Sequence, residues 1–408
     1  MKNNNKLAIS VSILFCLTFI SNSALAQDHS DPRWVTSWAT SPSTLPGSDD
    51  DGSDLQDQTV RLIVHTSIGG DSMRLRLSNY HGTGPVEIGA VSVALHNEES
   101  TVIDSSAEQV LFAGMGETTI ARGATVLSDP LDFTVPELSN LAVSIYLPGD
   151  SGFLTAHALS NQNNYVSTAG NFTASTEMAV DSETPAWYLL TAIDVIADEA
   201  VSAFATVGDS ITDGWGSTAS TNNRWPNHFA RRLYAAMPNN KFAIVNAGIS
   251  GNRVTTEESP MFGQNLQARF ERDVLALSDV THMVLMEGIN DIGMSARAED
   301  PVSAQQVIAG YRQIITRAHA NGIKIFGATL TPYEGAAYYT AGGEMTRQQV
   351  NDFIRNSGEF DGVIDFEKAV QDPENPARIL PSFTEDNLHP NDEGYKAMAE
   401  IIDLSLFQ

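Results

Sequence analysis

The sequence contains one cysteine in 408 residues, Cys16, and it lies in an apolar stretch near the N-terminus. Beyond Cys16 the chain has no thiol, which excludes an internal disulfide, a zinc-thiolate site and a cysteine nucleophile. The rest of the chain must therefore be stabilised by hydrophobic packing, and it is long enough to form two cores.

Positive charge is also scarce, because 23 lysines and arginines stand against 50 aspartates and glutamates and give a formal net charge of −27. Such a surface repels phosphate backbones and anionic lipids, so neither nucleic acid nor a membrane surface is an expected partner. Residues 49–51, with Asp54 and Asp57, concentrate acidic charge. This run lacks the glycine and the distal glutamate of a calcium-binding EF-hand, which favours a solvated loop over a calcium site.

Long apolar runs are absent except near the N-terminus, where Lys2 and Lys6 precede an apolar segment that ends in Ala24-Leu25-Ala26. This pattern predicts a secretory signal peptide over residues 1–26. An uncleaved membrane anchor is the alternative, but the apolar segment is short and interrupted by serines. We therefore expect an exported protein, periplasmic or extracellular, with no stable membrane attachment after cleavage.

Apolar and polar residues alternate between about residues 59 and 147, a period typical of strands with one buried face. Clusters of glycine, asparagine and proline separate the alternating segments and indicate turns. We therefore predict an all-β sandwich domain over residues 27–197. Its predicted strands include residues 59–64, 73–77, 86–93 and 141–147.

After about residue 198, short apolar segments alternate with longer segments of helical period. This order predicts βαβ units and hence an α/β domain over residues 198–408, a three-layer parallel sheet flanked by helices. The predicted strands cover residues 202–207, 242–246, 282–287, 323–329 and 362–365, and the predicted helices cover residues 225–237, 266–277, 302–320, 345–356 and 391–404.

Four polar clusters fall at the ends of these elements. Three follow the first three predicted strands of the α/β domain, and the fourth precedes its last helix. In an open parallel sheet, ligands bind beyond the carboxyl ends of the strands, so the clusters define one candidate site. They are GDS at 208–210, NAGISGN at 246–252, EGIND at 287–291 and DNLHP at 386–390.

Ser210, Asp386 and His389 have the chemistry of a catalytic triad. A serine hydroxyl needs an imidazole to accept its proton, and the imidazole needs a carboxylate that fixes its tautomer. Asp386 precedes His389 by three residues, a spacing that can bring the carboxylate against Nδ1 and leave Nε2 for the serine. Glu385 is the alternative partner of the histidine, at a spacing of four residues and with a longer side chain.

Acyl transfer also requires hydrogen-bond donors for the oxyanion of the tetrahedral intermediate. Three donors come from three successive strand ends: the backbone N–H of Ser210, the backbone N–H of Gly251 and the side-chain amide of Asn290. Each of these groups could serve a structural purpose alone. Together with the triad, they would supply all the groups that acyl transfer requires.

The remaining polar residues near these clusters have simpler interpretations. We expect Asp209 and Asp291 to hold loops by accepting hydrogen bonds from backbone amides, and Asp213 with Gly214 to form a turn. No pair of histidines has metal-ligand spacing with a carboxylate nearby, so we expect neither a metal nor another cofactor.

Aromatic residues near the candidate site leave two interpretations open. The segment 332–343 contains three tyrosines and follows the fourth predicted strand of the α/β domain, on the same edge as the triad. Its rings could stack on a sugar or line an acyl pocket, or they could pack as an ordinary surface loop. Trp215 and Trp225 are similarly ambiguous, and one of them could belong to the core.

The blocks GDSITDG, NAGISGN, GIND and DNLH resemble, in this order, the four blocks of the SGNH (GDSL) hydrolase family. The resemblance spans roughly residues 203 to 400 and implies a flavodoxin-like fold. It also implies Ser210 as nucleophile, Gly251 and Asn290 as oxyanion donors with the Ser210 N–H, and Asp386 and His389 as the other triad members. Ile211 stands where the family shorthand has leucine, and Thr212 replaces the last glycine of a G-x-S-x-G elbow.

These features predict a secreted serine esterase that hydrolyses short-chain esters, acetyl esters in particular, through an acyl-enzyme on Ser210. The expected substrate is a small-molecule or polysaccharide ester, with carbohydrates as candidate alcohols. A lipase or lysophospholipase acting on longer acyl chains is the alternative within the enzyme class. From a different class, the chain could be a non-catalytic carbohydrate-binding module, although such a role gives no reason to retain all the catalytic residues.

Overall fold

A computed structural model describes Met1 and residues 32–45, 55–198, 200–237, 242–257 and 259–407. The predicted signal peptide beyond Met1, and residues 49–51 and Asp54 of the acidic run, lie outside these residues. Within the described ranges, no helix combines the length and the apolar character needed to cross a bilayer.

The chain up to residue 196 forms short antiparallel strands, as the alternating sequence predicts. Several strands that the sequence interpretation missed are short or have little alternation. The strands are β1 (Trp34–Ala39), β2 (Gln58–His65), β3 (Gly70–Ser78), β4 (Val86–Ile88), β5 (Ala90–Leu95), β6 (Glu108–Val110), β7 (Thr118–Ile120), β8 (Thr125–Leu127), β9 (Leu131–Val135), β10 (Asn140–Leu147), β11 (Ala156–His157), β12 (Asn164–Ala169), β13 (Val180–Thr184), β14 (Trp187–Tyr188) and β15 (Leu190–Ile196).

Two antiparallel sheets enclose a common core and confirm the predicted sandwich. One sheet has the order β1-β15-β3-β8, with β9 also paired to β3, and the other has the order β13-β12-β2-β10-β5-β6. Leu62 and Val143 from the second sheet meet Leu75 and Ile193 from the first in one buried cluster. Alternate residues of each strand thus supply the apolar surface that holds the two sheets together.

The predicted strand over residues 86–93 is two strands. Gly89 interrupts it, and a Cβ atom at that position would lie 2.8 Å from the ring of Tyr146. On either side of this close approach the pairing changes, because β4 pairs with β7 whereas β5 pairs with β10. Prediction of a single strand was wrong because the alternation of apolar residues continues across the break.

The second half of the chain alternates strands and helices. Its elements are β16 (Ser202–Gly208), α1 (Ser210–Asp213), α2 (Trp225–Ala236), β17 (Phe242–Gly248), α3 (Leu266–Phe270), β18 (Val280–Met286), α4 (Ile289–Ser295), α5 (Ala304–Ala320), β19 (Lys324–Ala328), α6 (Ala341–Asn356), β20 (Gly362–Ile364), α7 (Phe366–Val370), β21 (Gln371–Asp372), β22 (Asn375–Ile379) and α8 (Asp392–Ile401).

Five strands form a parallel sheet in the order β17-β16-β18-β19-β20. Helix α2 packs against α8, and α5 packs against both α3 and α6, so the helices form two groups around the sheet. This arrangement confirms the predicted α/β fold. Because strand order reverses at β16, the carboxyl ends of β16, β17 and β18 form the switch point at which such sheets bind ligands.

Local signals explain where several helices begin and end. Helix α5 begins after Ser303, whose side chain accepts from the Gln306 N–H while the Gln306 side chain accepts from the Ser303 N–H. Helix α6 begins four residues before the predicted start because Thr340 caps it. The helix predicted over residues 266–277 changes to a π-helical turn after Phe270.

The antiparallel and parallel parts belong to one compact unit that extends from Arg33 to Gln408. At one point of contact, Thr36 of β1 and Ser278 exchange hydrogen bonds of 3.1 and 2.8 Å. Asp194 of β15 accepts from the hydroxyls of both residues and forms an ion pair with Arg74. The last antiparallel strand ends at Ile196, and the first parallel strand begins at Ser202.

Candidate active site

Ser210 lies where the buried strand β16 ends and the short helix α1 begins. It is the first residue of α1, so its backbone N–H has no carbonyl one turn earlier in the helix to bind. The carboxylate of Asp209 caps the helix by accepting from the Ile211 N–H at 3.1 Å, as the sequence predicts. This tight transition from strand to helix fixes Ser210 at the edge of the sheet, with 6% of its surface exposed.

Ser210, His389 and Asp386 form a continuous chain of side-chain hydrogen bonds. The Ser210 Oγ atom is 2.8 Å from His389 Nε2. His389 Nδ1 is 2.7 Å from Asp386 Oδ2. With Nδ1 protonated and held by the carboxylate, Nε2 is the acceptor that faces the serine hydroxyl. The structure thus brings together the three side chains that the sequence predicts as a triad.

The Asp386 carboxylate is held in its charged form. Burial alone would raise its pKa, but hydrogen bonds from the His389 ring and from the backbone N–H groups of His389 and Leu388 hold the pKa well below its usual range. Asp386 is therefore ionised wherever His389 can act as a base. Glu385, the alternative partner, is exposed, and the aspartate is the carboxylate that contacts Nδ1.

Gly251 lies in the loop after β17 and has a positive φ of 79°. A Cβ atom at this position would meet the ring of Phe262 at 2.4 Å, so both the conformation and the contact require glycine. Within the described residues its backbone N–H has no hydrogen-bond partner. Such an N–H is available to a ligand.

Asn290 lies in the first turn of α4 and is buried. Its amide nitrogen donates to the Asn252 carbonyl at 3.1 Å, which leaves one of its two N–H groups for another acceptor. Its amide oxygen accepts from the Tyr338 hydroxyl at 3.2 Å. Because a hydroxyl donor faces the oxygen and a carbonyl faces the nitrogen, the orientation of the amide is fixed. The sequence did not predict that Tyr338 orients Asn290.

Residues 206–397, which contain all of these groups, match the model of the GDSL-like Lipase/Acylhydrolase family. This part of the chain is a GDSL hydrolase domain. The activity that this match indicates for residues 206–397 is the hydrolysis of acyl groups. No curated protein matches the chain.

Several solved structures are similar to about half of the chain. An acetylxylan esterase from Geobacillus stearothermophilus is 24% identical, with 49% of this chain and 91% of that chain covered and a TM-score of 0.38. An acetyl xylan esterase named AlAXEase is 23% identical, with 49% and 96% covered and a TM-score of 0.39. A putative lipolytic protein of the G-D-S-L family from Desulfitobacterium hafniense is 22% identical, with 49% and 96% covered and a TM-score of 0.38.

Arg269 contacts residues at the carboxyl ends of three parallel strands of the GDSL hydrolase domain. It is fully buried and donates to the carbonyls of Gly208 and Ala247 at 3.1 and 2.8 Å. It also donates to the Asn252 side chain at 2.8 Å and lies 3.3 Å from the Glu287 carboxylate. One guanidinium therefore contacts the ends of β16, β17 and β18, which carry the three oxyanion-donor candidates.

Three buried carboxyl groups near the strand ends have raised pKa values. Burial raises the pKa of Asp209 to about 7 and the pKa of Glu287 to about 8. Burial also raises the pKa of Asp291, which accepts from the N–H groups of Val254 and Thr255 and so holds the loop before α3, as predicted. Within the described ranges, no group of three or more His, Cys, Asp or Glu side chains could hold a metal ion.

The sequence interpretation missed a buried cluster beneath α1. Asp213, assigned to a turn with Gly214, contacts His157 of the antiparallel part at 2.9 Å. Its other oxygen accepts from the N–H and hydroxyl of Ser250 at 2.9 and 2.7 Å. Gly214 does end α1 in a left-handed conformation, so the turn is present as well. These partners are far apart in the chain, so no local sequence motif predicts the contact.

The aromatic residues near the site fall into two groups. Trp225 and Tyr333 are fully buried, and the Tyr338 hydroxyl bonds to Asn290. Two of the three tyrosines of segment 332–343 are therefore held by contacts within the protein. Trp215 is 46% exposed, and its ring centroid lies 6.3 Å from that of His389. Trp215 is therefore an exposed aromatic ring beside the triad histidine.

Proposed function

We propose that this GDSL hydrolase is an exported serine esterase that removes short acyl groups, acetyl above all, from alcohols such as carbohydrates. The observation that carries the proposal is the hydrogen-bonded chain from Ser210 Oγ through His389 to Asp386, with distances of 2.8 and 2.7 Å. This chain meets the geometric requirement for a serine nucleophile with its base and the carboxylate that orients the base.

In the proposed reaction, Ser210 Oγ attacks the ester carbonyl carbon while His389 Nε2 accepts the hydroxyl proton. The oxyanion receives hydrogen bonds from the N–H groups of Ser210 and Gly251 and from the free N–H of Asn290. Collapse of the tetrahedral intermediate breaks the bond to the alcohol, which takes the proton from His389. Water then attacks the acyl-enzyme while His389 accepts its proton. Collapse of the second intermediate breaks the bond to Ser210 Oγ, which takes the proton back from His389, and releases the carboxylic acid.

The preference for short acyl chains rests on the surface around the triad. An enzyme that works on lipid aggregates needs a contiguous apolar surface. Among the described residues, the exposed large hydrophobic side chains are scattered, and Trp215 is the one whose ring lies against His389. A single exposed indole suits the flat face of a sugar ring better than it suits an acyl chain. Export rests on the signal-peptide pattern of residues 1–26.

The protein without residues 1–26 should hydrolyse p-nitrophenyl esters with highest kcat/KM for acyl chains of two to four carbons. A series extending to twelve carbons measures this preference directly. A maximum at eight carbons or more would overturn the short-chain proposal in favour of a lipase or lysophospholipase. Failure of the folded protein to react with a serine-directed fluorophosphonate would favour a non-catalytic binding module.

Replacement of Trp215 by alanine should raise KM for an acetylated oligosaccharide about fivefold, the loss expected for one aromatic contact of about 1 kcal/mol. KM for ethyl acetate should stay unchanged, because its alcohol has no ring to stack on the indole. Trp215→Phe is the matched control, since it keeps a flat apolar ring and should restore most of the affinity. Equal changes in KM for both substrates would show that Trp215 does not recognise the alcohol.

A further inference from the structure

A buried pair of side chains connects the antiparallel part of the chain to two loops of the candidate site. His157 ends β11 and is 2% exposed. Its Nε2 atom lies 2.9 Å from Asp213 Oδ1, and its Nδ1 atom lies 2.9 Å from the Ser41 carbonyl oxygen. The proposed reaction uses neither His157 nor Asp213, although both are buried and titratable.

The hydrogen-bond partners of His157 indicate how its ring is protonated. The Ser41 carbonyl can only accept, and Asp213 already accepts from the N–H and hydroxyl of Ser250 through Oδ2. The Ser41 carbonyl requires a proton on Nδ1, and the pKa of His157 is raised, so the pattern favours the doubly protonated ring.

Charged groups on the surrounding elements act on His157 in opposite directions. Burial would lower its pKa, but Asp213 of α1 and the two hydrogen bonds outweigh burial and raise the pKa above 6.5. Arg224, at the start of α2, opposes this rise. The Trp187 ring, 5.6 Å away between centroids, and the hydroxyl of Ser250 are neutral neighbours.

Asp213 is coupled by position to both halves of the proposed chemistry. It is the last residue of α1, and Ser210 is the first residue of that helix. Ser250, bound to the other carboxylate oxygen, directly precedes Gly251. One carboxylate thus determines where the nucleophile helix ends and where the oxyanion loop begins.

We propose that His157 is a positioning residue of the esterase site. It acts through Asp213 to hold Ser210 and Gly251 in the correct relative positions. This inference rests on the proposed function, because it assigns His157 to the same site. It gives the antiparallel part of the chain a direct purpose in catalysis, since His157 and its Ser41 partner both come from that part.

The proposal makes activity depend on pH on the alkaline side. A histidine whose pKa is raised on folding stabilises the fold below its unfolded pKa of 6.5, and this contribution is lost as pH rises through the folded pKa. Loss of the proton leaves a ring nitrogen facing an acceptor without a hydrogen. We therefore expect kcat to decline at pH values above 6.5 as His157 deprotonates.

The test replaces His157 by glutamine, whose amide can donate to Asp213 but carries no charge and cannot also reach Ser41. For p-nitrophenyl acetate, kcat should fall about tenfold to a hundredfold, the cost of a small misplacement of reacting groups. KM should remain within about threefold of the parent value, because the substrate contacts are intact. The alkaline decline of kcat in the parent should be absent from the variant.

His282→Gln is the matched control. The His282 ring stacks on Phe204 and Phe326, at the end of β18 opposite to the site loops. This variant should lower Tm but keep kcat and the pH profile of the parent. A double-mutant cycle with Asp213→Asn adds a second measurement: if His157 acts through Asp213, the double variant should be no slower than the slower single variant.

Fluorophosphonate labelling of the parent separates this inference from the proposed function. If the parent is labelled at Ser210, but His157→Gln retains its labelling rate, kcat and alkaline profile, the positioning proposal is overturned and the esterase proposal stands. Additive losses in the double-mutant cycle would likewise overturn it. If the parent itself is not labelled, the esterase proposal fails, and the positioning proposal fails with it.

Discussion

Replacement of Ser210 by alanine is expected to lower kcat for p-nitrophenyl acetate at least about a thousandfold. The variant loses the oxygen that lies 2.8 Å from His389 Nε2 and hence the covalent route through an acyl-enzyme. Residual hydrolysis would come from the oxyanion donors and from substrate binding alone. Steady-state rates and fluorophosphonate labelling of parent and variant measure the loss.

Ser217→Ala is the control for this experiment, because Ser217 is a buried serine in the loop that follows α1. Its hydroxyl donates to the Gly214 carbonyl and accepts from the Asn161 amide, and neither bond involves His389. This variant should remain active and should still be labelled. An alanine variant at Ser210 with the activity of the parent would refute the nucleophile assignment.

Replacement of Asp386 by asparagine is expected to reduce kcat by roughly a thousandfold or more, because the imidazole is then held in the wrong tautomer. Asp386 Oδ1 accepts from the backbone N–H groups of Leu388 and His389. An asparagine would keep its oxygen at these donors and turn its amide N–H groups toward His389 Nδ1. The proton would then lie on Nε2, which could no longer accept from Ser210.

Glu385→Gln provides the matched control for Asp386→Asn, since it makes the same chemical change one residue away on an exposed side chain. It should leave kcat and KM close to the parent values. The result to measure is the ratio of the two effects under identical conditions. If Glu385→Gln is the more damaging change, the orienting carboxylate is Glu385 and the assignment of Asp386 is wrong.

The fold was predictable where the sequence has a strong local period. The parallel strands are continuous apolar segments, and the antiparallel strands β2, β3 and β10 alternate clearly, so their positions were close to the observed ones. The interruption at Gly89 was not predictable, because it results from the ring of Tyr146 on a neighbouring strand. The two-residue strands β11 and β14 are too short to have a recognisable period.

The site divides in the same way. Ser210, His389 and Asp386 lie in short motifs whose chemistry can be recognised one residue at a time. His157 and Asp213 are 56 residues apart, and Tyr338 and Asn290 are 48 residues apart. Neither pair follows a spacing rule, because tertiary packing alone brings the partners together. Groups that react are thus visible in the sequence, whereas the groups that support them require coordinates.

The contacts across the two parts of the chain limit how the enzyme can be divided. Arg224 donates to the Ser160 carbonyl and Arg269 to the Ser41 hydroxyl, and both guanidinium groups are buried. A fragment that begins after residue 197 would lack both acceptors, and the buried Arg224 guanidinium would lose the carbonyl to which it donates. The parallel half is therefore unsuited to transfer as a free-standing cassette, and fusion or shuffling experiments should carry both halves together.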